Sequence, residues 1–219
     1  MNYPFRTAVM DFMHGRCDAR SLRDFLISQR MNYPAPLYYS LMNLLGSHDV
    51  ERLKSALATD VVIKSLPREE QVKLVFDEER LEKAVRLEKL CAALQFAIPG
   101  VPSIYYGDEQ GMEGVGDPFN RAPFREGDKD LHDYYVNLSA LRNSDPVFAE
   151  GEVSYDAPSA DILTIVRYYA GDHGATNSVY LTVINRGEEA DYFADLSYAG
   201  LGMYAGKIAA ESAETIQIR

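Results

Sequence analysis

Leu41-Met42-Asn43-Leu44-Leu45-Gly46-Ser47-His48-Asp49 decides how the chain is read, because a nearly continuous apolar run stops on a turn residue, a histidine and an acid. The run is too unbroken for a strand with one wet face and suits a parallel strand covered on both sides. Gly46 lets the backbone turn, and Glu51 and Arg52 follow Asp49 closely. In parallel α/β architectures the loops beyond the carboxyl ends of the strands are where ligands bind. Taken alone the pattern is more often that of a plain strand end, so the residues around it must decide.

Downstream, Leu81, Ala84, Val85, Leu87, Cys91, Leu94 and Ile98 recur at helical spacing, which predicts a long helix from about Asp77 to Ile98, ended by Pro99-Gly100. Val101 to Tyr106 is a second short apolar strand, and it too empties into acids, Gly107-Asp108-Glu109. Strand, helix, strand makes a βαβ unit, whose strands are parallel with their polar loops on one side. Asp108 and Glu109 are adjacent at a strand end and point to opposite sides, which favours structural roles over a catalytic pair. Tyr105 and Tyr106 read as barrel packing, and Glu51 and Arg52 as solvated loop charges.

Upstream, Phe5, Val9, Phe12 and Met13, then Leu22, Phe25 and Leu26 after a break near His14-Gly15, predict two helices within residues 4–30. Ser21 with Asp24 resembles a capping box for the second. Residues 32–36, with Pro34 and Pro36, are expected to be non-helical. Pro67 suits the first residue of a short helix, and a further helix is expected from about Lys129 to Asn143. Past Asp145-Pro146 the period changes to that of strands at Ile162 to Tyr169, Val179 to Asn185, Asp191 to Leu196 and Ala213 to Ile218. The expectation is two domains, residues 1–149 and 150–219, the second an antiparallel β-sandwich.

With 219 residues, 47% of them hydrophobic, the chain can bury a substantial core. A net charge of −11 argues against nucleic acid or an anionic membrane as partner. The sequence holds no apolar run of about 20 residues, and Met1 to Arg6 lacks the order of a signal peptide, so the expected location is cytoplasmic. Cys17 and Cys91 are isolated and read as reduced, structural thiols; His14, His132 and His173 have no partners at metal-ligand spacing. The expectation is therefore no cofactor and no metal among the site residues.

Gly46-Ser47-His48-Asp49, then Pro99-Gly100-Val101-Pro102-Ser103-Ile104-Tyr105-Tyr106-Gly107-Asp108-Glu109, then Asp117-Pro118-Phe119-Asn120-Arg121 resemble, in this order, the last third of the catalytic barrel of the α-amylase family, glycoside hydrolase family 13. The form of the first motif is most similar to the neopullulanase, cyclomaltodextrinase and maltogenic amylase branch. The resemblance implies the C-terminal part of a (β/α)8 TIM barrel followed by a small all-β domain. Residues 1–4 resemble the family's sixth strand, Leu41 to Leu45 its seventh and Val101 to Tyr106 its eighth. By the same resemblance Asp49 is the aspartate that holds a sugar's secondary hydroxyls in the transition state, His48 contacts the same hydroxyls, and Asp117 and Arg121 line the donor side of the cleft. Asp117 with Arg121 is also readable as an ion pair that shapes its own loop.

Retaining hydrolysis needs a nucleophilic carboxylate and a second carboxyl about 5 Å away as general acid. In the family both precede the seventh strand's motif, and this chain is expected to begin after them. The expected function is that of the C-terminal portion of a retaining α-glucan-acting glycoside hydrolase, inactive alone, with an α-glucan oligosaccharide or cyclodextrin as partner. Two alternatives stand beside it: a non-catalytic carbohydrate-binding or association module, and a fragment that complements a separate N-terminal chain. A partial barrel also leaves strand edges open, which predicts self-association or cover by a further segment.

Overall fold

The computed structural model describes residues 1–169 and 178–219. Its first elements are α1 (Tyr3–Met13) and α2 (Ala19–Asn32). Asn2 caps α1 by accepting the Phe5 N–H at 3.2 Å, and Pro4 lies in the first turn, where an N–H has no partner to lose. The cap of α2 is Asp18, which accepts the Ser21 N–H at 2.9 Å. This corrects the Ser21–Asp24 capping box: Ser21 is already inside the helix, and its hydroxyl turns back to Asp18 at 2.8 Å.

Residues 32–36 are a second correction. The helix α2 runs through Asn32, and a single turn, α3 (Ala35–Tyr38), starts from Pro34 as its cap with Pro36 in its first turn. Proline breaks a helix where its missing N–H or its ring meets a carbonyl one turn back, and a first turn presents neither conflict.

β1 (Met42–Leu44) and β2 (Val101–Ser103) are parallel, with Met42 opposite Val101 and Leu44 opposite Ser103. Both are shorter than the apolar runs that announce them. On the far side of β1, the Asn2 N–H donates to the Met42 carbonyl at 2.8 Å, and the helix then begins at Tyr3. The strand expected over residues 1–4 is thus a single strand-like bond. Asn43 is polar within an apolar strand because it is fully employed: it donates to the Pro99 carbonyl at 2.9 Å and accepts from Asn2 at 2.8 Å.

Between these strands lie α4 (Leu53–Leu57), α5 (Arg68–Gln71) and α6 (Glu78–Ala97). Pro67 stands one residue outside α5 as its cap. Asp77 caps α6, and Leu87, Leu90, Cys91 and Leu94 give it a buried face against the strands and α1. After β2 come α7 (Lys129–Ser144), capped by Asp128, and the short α8 (Val147–Glu150).

The remainder is all β: β3 (Glu152–Asp156), β4 (Ile162–Tyr168), β5 (Tyr180–Asn185), β6 (Ala190–Asp195), β7 (Met203–Ile208) and β8 (Ser212–Gln217). Antiparallel pairing gives a four-stranded sheet, β3-β4-β5-β8, and a separate hairpin, β6-β7. All of β4 and β5 is buried because both faces of the sheet are covered. Leu163, Ile165 and Ile184 face inward and share one core with Phe5, Leu22, Leu26, Leu90 and Leu94. Ile162, Val166, Leu181 and Val183 face the other way and meet Tyr192, Ala194 and Ile208 of the hairpin. This is the period-two alternation of a strand with two apolar neighbours in place of one. β3 and β7 are not anticipated by the sequence reading. In β7 the interruption is Gly206, which sits opposite Tyr192, and a Cβ there would fall 2.6 Å from the tyrosine hydroxyl oxygen.

Arg167 points from β4 into the helical side and is fully buried. It donates to the carbonyls of Ala97 at 3.0 Å, Val147 at 2.7 Å, Gly151 at 3.0 Å and Glu152 at 3.2 Å, pinning the end of α6 and the α8–β3 connection to the sheet. Among the described residues no helix is long and apolar enough to cross a membrane.

Candidate functional site

Ser47, His48 and Asp49 follow β1 at its carboxyl end, on the same side as the loop that follows β2. Gly46 allows the two loops to approach closely, since a Cβ there would lie 2.0 Å from Asp108 Oδ2 on the second loop. The Asp49 carboxylate is held from two sides: Oδ2 accepts the Tyr3 hydroxyl at 3.2 Å, and Oδ1 lies 3.0 Å from His48 Nε2. Ser47 stands beneath, with its Oγ 3.0 Å from the Tyr3 hydroxyl and accepting the Asp49 N–H at 3.1 Å. The side chains of His48 and Asp49 remain 54% and 56% exposed, so the pair is fixed and still open to a ligand.

Asp117 and Arg121 reach this place from the other loop. Arg121 Nε pairs with Asp117 Oδ1 at 2.7 Å, and its Nη2 donates to the His48 carbonyl at 3.2 Å. The ion-pair reading thus has its structural counterpart, and Arg121 in addition ties this loop to the backbone of His48. All four residues singled out from sequence lie within this one connected cluster. What the arrangement offers is two carboxylates, an imidazole and a guanidinium on one polar surface, suited to holding vicinal hydroxyl groups.

Glu51 and Arg52 are a correction, because both are buried where solvated charges were expected. Glu51 pairs with Arg6 at 3.0 Å, and Arg6 also donates to the Leu45 carbonyl at 2.7 Å, securing the end of β1. The Arg52 guanidinium lies against both the Tyr105 and Tyr106 rings, 4.6 Å from each centroid, and the two rings pack edge to face on each other. It donates to the Tyr106 carbonyl and to Asp108 Oδ1, the latter at 3.3 Å. Tyr105 and Tyr106 therefore serve a cation, worth about 2 kcal/mol or more for a desolvated cation–π pair. The sequence signal was present as an aromatic pair one strand away from an arginine, without anything to say that the two meet.

Asp108 and Glu109 lie in a tight turn instead of on a strand end. Asp108 is buried, and burial pushes its carboxyl up to about 7 against the opposing pull of Arg52. Glu109 is spent on its own loop, accepting the Gly107 N–H at 2.8 Å. Behind them Glu88 of α6 is fully enclosed; burial, with the Asp108 charge adding to it, pushes its carboxyl well above the usual range, and the Tyr135 hydroxyl bonds it at 3.4 Å. No group of three or more His, Cys, Asp or Glu side chains among the described residues is arranged to hold a metal ion. His14 lies 3.4 Å from Asp60 and His132 3.5 Å from Asp133, and His173 lies outside the described residues. Cys17 and Cys91 are free thiols, the second pushed far up by burial.

A parallel strand pair whose carboxyl ends carry a linked histidine, two aspartates and an arginine defines an α/β protein with a polar cluster at the strand ends. Residues 1–146 match the alpha amylase catalytic-domain family, so the chain belongs to the α-amylase family of glycosidases. It is 34% identical over 206 residues to the amylopullulanase of Thermoanaerobacter thermohydrosulfuricus, a match covering 86% of this chain and 13% of that one. It is 31% identical to the cyclomaltodextrinase of Geobacillus thermopakistaniensis, over 87% of this chain and 28% of that one. Among solved structures, the ligand-free cyclic alpha-maltosyl-(1→6)-maltose hydrolase of Arthrobacter globiformis superposes with a TM-score of 0.78 at 26% identity, covering 99% of this chain and 43% of that one. The chain thus spans less than a third of the length of these curated relatives.

Proposed function

We propose that these 219 residues supply one wall of an α-glucan site in a retaining glycoside hydrolase. In this reading Asp49 holds the secondary hydroxyls of a glucose unit as the ring flattens toward an oxocarbenium-like state, His48 contacts the same hydroxyls, and Asp117 with Arg121 borders the donor side. The carrying observation is the clamped Asp49 carboxylate, fixed by Tyr3 and His48 and half exposed. Preorganised groups of this kind stabilise developing charge because they need not reorganise during the reaction. The substrate class follows the relatives, whose names specify cyclomaltodextrins and a cyclic maltosyl-maltose.

The reading assigns β1 and β2 to the seventh and eighth strands of a (β/α)8 barrel within residues 1–149, and residues 150–219 to a β-sandwich domain. The nucleophile and general acid are assigned to polypeptide other than this chain: of the exposed carboxylates in this cluster, Asp49 is held by His48 and Tyr3 and Asp117 by Arg121. Maltotriose titration tests the site. Asp49→Ala is expected to weaken binding by about 10-fold or more, the scale of a lost charge-assisted hydrogen bond, while the chain alone releases no reducing sugar from maltooligosaccharides or cyclodextrins. Robust turnover by the pure chain, or binding indifferent to Asp49, overturns the reading.

An association role has an observation of its own. Val101 of β2 and Ile104 just after it are exposed beside the outer edge of that strand. Cover by a further segment, or by a second copy, would remove that edge from water.

A further inference from the structure

Asn120 was not singled out by its sequence, yet it is fully buried at the junction of the two loops that build the site. It lies in the single turn Phe119–Arg121, between the site residues Asp117 and Arg121. Its Nδ2 lies 3.3 Å from the Ser47 carbonyl, 3.0 Å from that of His48 and 2.6 Å from that of Val50. An amide nitrogen has two hydrogens, so three acceptors require one to be shared. The acceptors also fix the orientation of the side chain, since an oxygen in that place would face three other oxygens. The remaining atom, Oδ1, is buried without a partner, so what the fold uses is the donor end.

We infer that Asn120 is a positioning residue for His48 and Asp49: its side-chain amide gathers three carbonyls of residues 47–50 and thereby sets the loop shape that presents both side chains. Those carbonyls belong to an irregular loop without a sheet ladder; that of Ser47 accepts the Val50 N–H at 3.5 Å, and those of His48 and Val50 depend on donors from the other loop. The same junction is tight elsewhere. The Arg52 N–H donates to the Gly114 carbonyl at 2.9 Å, and a Cβ at Gly114 would lie 2.9 Å from Asn120 Cα. Arg121 adds its bond to the His48 carbonyl from the neighbouring position. A serine at 120 reaches less far with a single hydrogen, and an aspartate of the same shape presents oxygen where hydrogen is needed. The inference extends the sugar-site reading for its functional consequence, but its structural content stands apart from it.

Asn120→Asp tests it, because that exchange keeps size and reverses hydrogen-bonding character. Amide hydrogen exchange read by NMR is expected to speed up by about 10-fold or more at Asp49 and Val50 near neutral pH, with the amides of β4 and β5 still protected. Maltotriose affinity is expected to fall by about the same factor. Both differences relative to the unaltered chain shrink as the pH falls toward about 4, where the introduced carboxyl regains a proton to donate. A role in general stability alone would speed exchange in β4 and β5 by a comparable factor. Unchanged exchange at residues 47–50 overturns the inference. If Asn120→Asp also loses protection in β4 and β5, Asn120→Ser decides instead: intermediate exchange at 47–50 supports the inference and unchanged exchange overturns it. Asp49→Ala separates the two ideas: if it leaves maltotriose affinity unaltered, the sugar-site reading fails, and the exchange data still decide the role of Asn120.

Discussion

Asp108 shows how far a single residue can depart from what its neighbours in sequence suggest. Its carboxyl is raised from an ordinary 3.8 to about 7 because burial costs the charged form more than Arg52 returns. A folded-state value above the unfolded one means that this group's contribution to stability is complete below the unfolded value and is lost as the pH rises through about 7. Glu88 is shifted in the same direction, so it adds to the same slope. Urea unfolding between about pH 4 and pH 8 is therefore expected to show stability falling by on the order of a few kcal/mol. Asp108→Asn should flatten much of that slope, since the amide cannot ionise and so loses nothing as the pH rises. A slope unchanged in the variant would contradict the assignment. At this scale the sequence was readable where the chain itself supplied the context. His48 and Asp49 stand out because an apolar strand stops directly before them. Glu51 and Arg52 were misread because their burial depends on distant partners: Asp108 lies 56 residues from Arg52, and Arg6 lies 45 from Glu51.

Among the elements, α6 and α7 were legible almost to their ends, because an aspartate cap and a sustained apolar period mark both. The strands β4 and β5 were equally plain from their β-branched runs. Less legible were the places where tertiary contact replaces local preference, such as Gly206 in β7, which yields its space to the Tyr192 ring. Arg167 belongs to that group as well. It occupies an inward position of β4 where alternation calls for an apolar side chain, and it is there to satisfy four carbonyls at the ends of neighbouring elements. Arg167→Met is expected to lower the unfolding free energy by about 3 kcal/mol or more, since it strands buried acceptors that water cannot reach. Urea titration measures this, and a loss below about 1 kcal/mol would show that the carbonyls find other partners.

For the whole molecule, the family followed from three ordered motifs and the parallel pairing of β1 with β2 from the strand, helix, strand order, whereas the cover of the sheet on both faces followed from neither. That cover has to be seen, because it joins residues far apart in the chain. The open side of β2 gives a prediction at this scale. Val101→Lys places a charge beside the exposed edge and is expected to reduce any concentration-dependent association seen by sedimentation velocity, with the fold unaltered. A chain that sediments as a compact monomer at all concentrations would show that the edge does not pair.

The shared core has a bearing on how such proteins can be recombined. Leu163, Ile165 and Ile184 of the C-terminal sheet are packed among Phe5, Leu22 and Leu90, and Arg167 is bonded to the last turns of the helical part. The all-β portion is consequently no interchangeable cassette. A chimera that joins it to another member's helices at the chain connection near residue 150 would inherit mismatched surfaces on both parents, and a workable graft has to carry the facing sides of α2 and α6 along with the sheet.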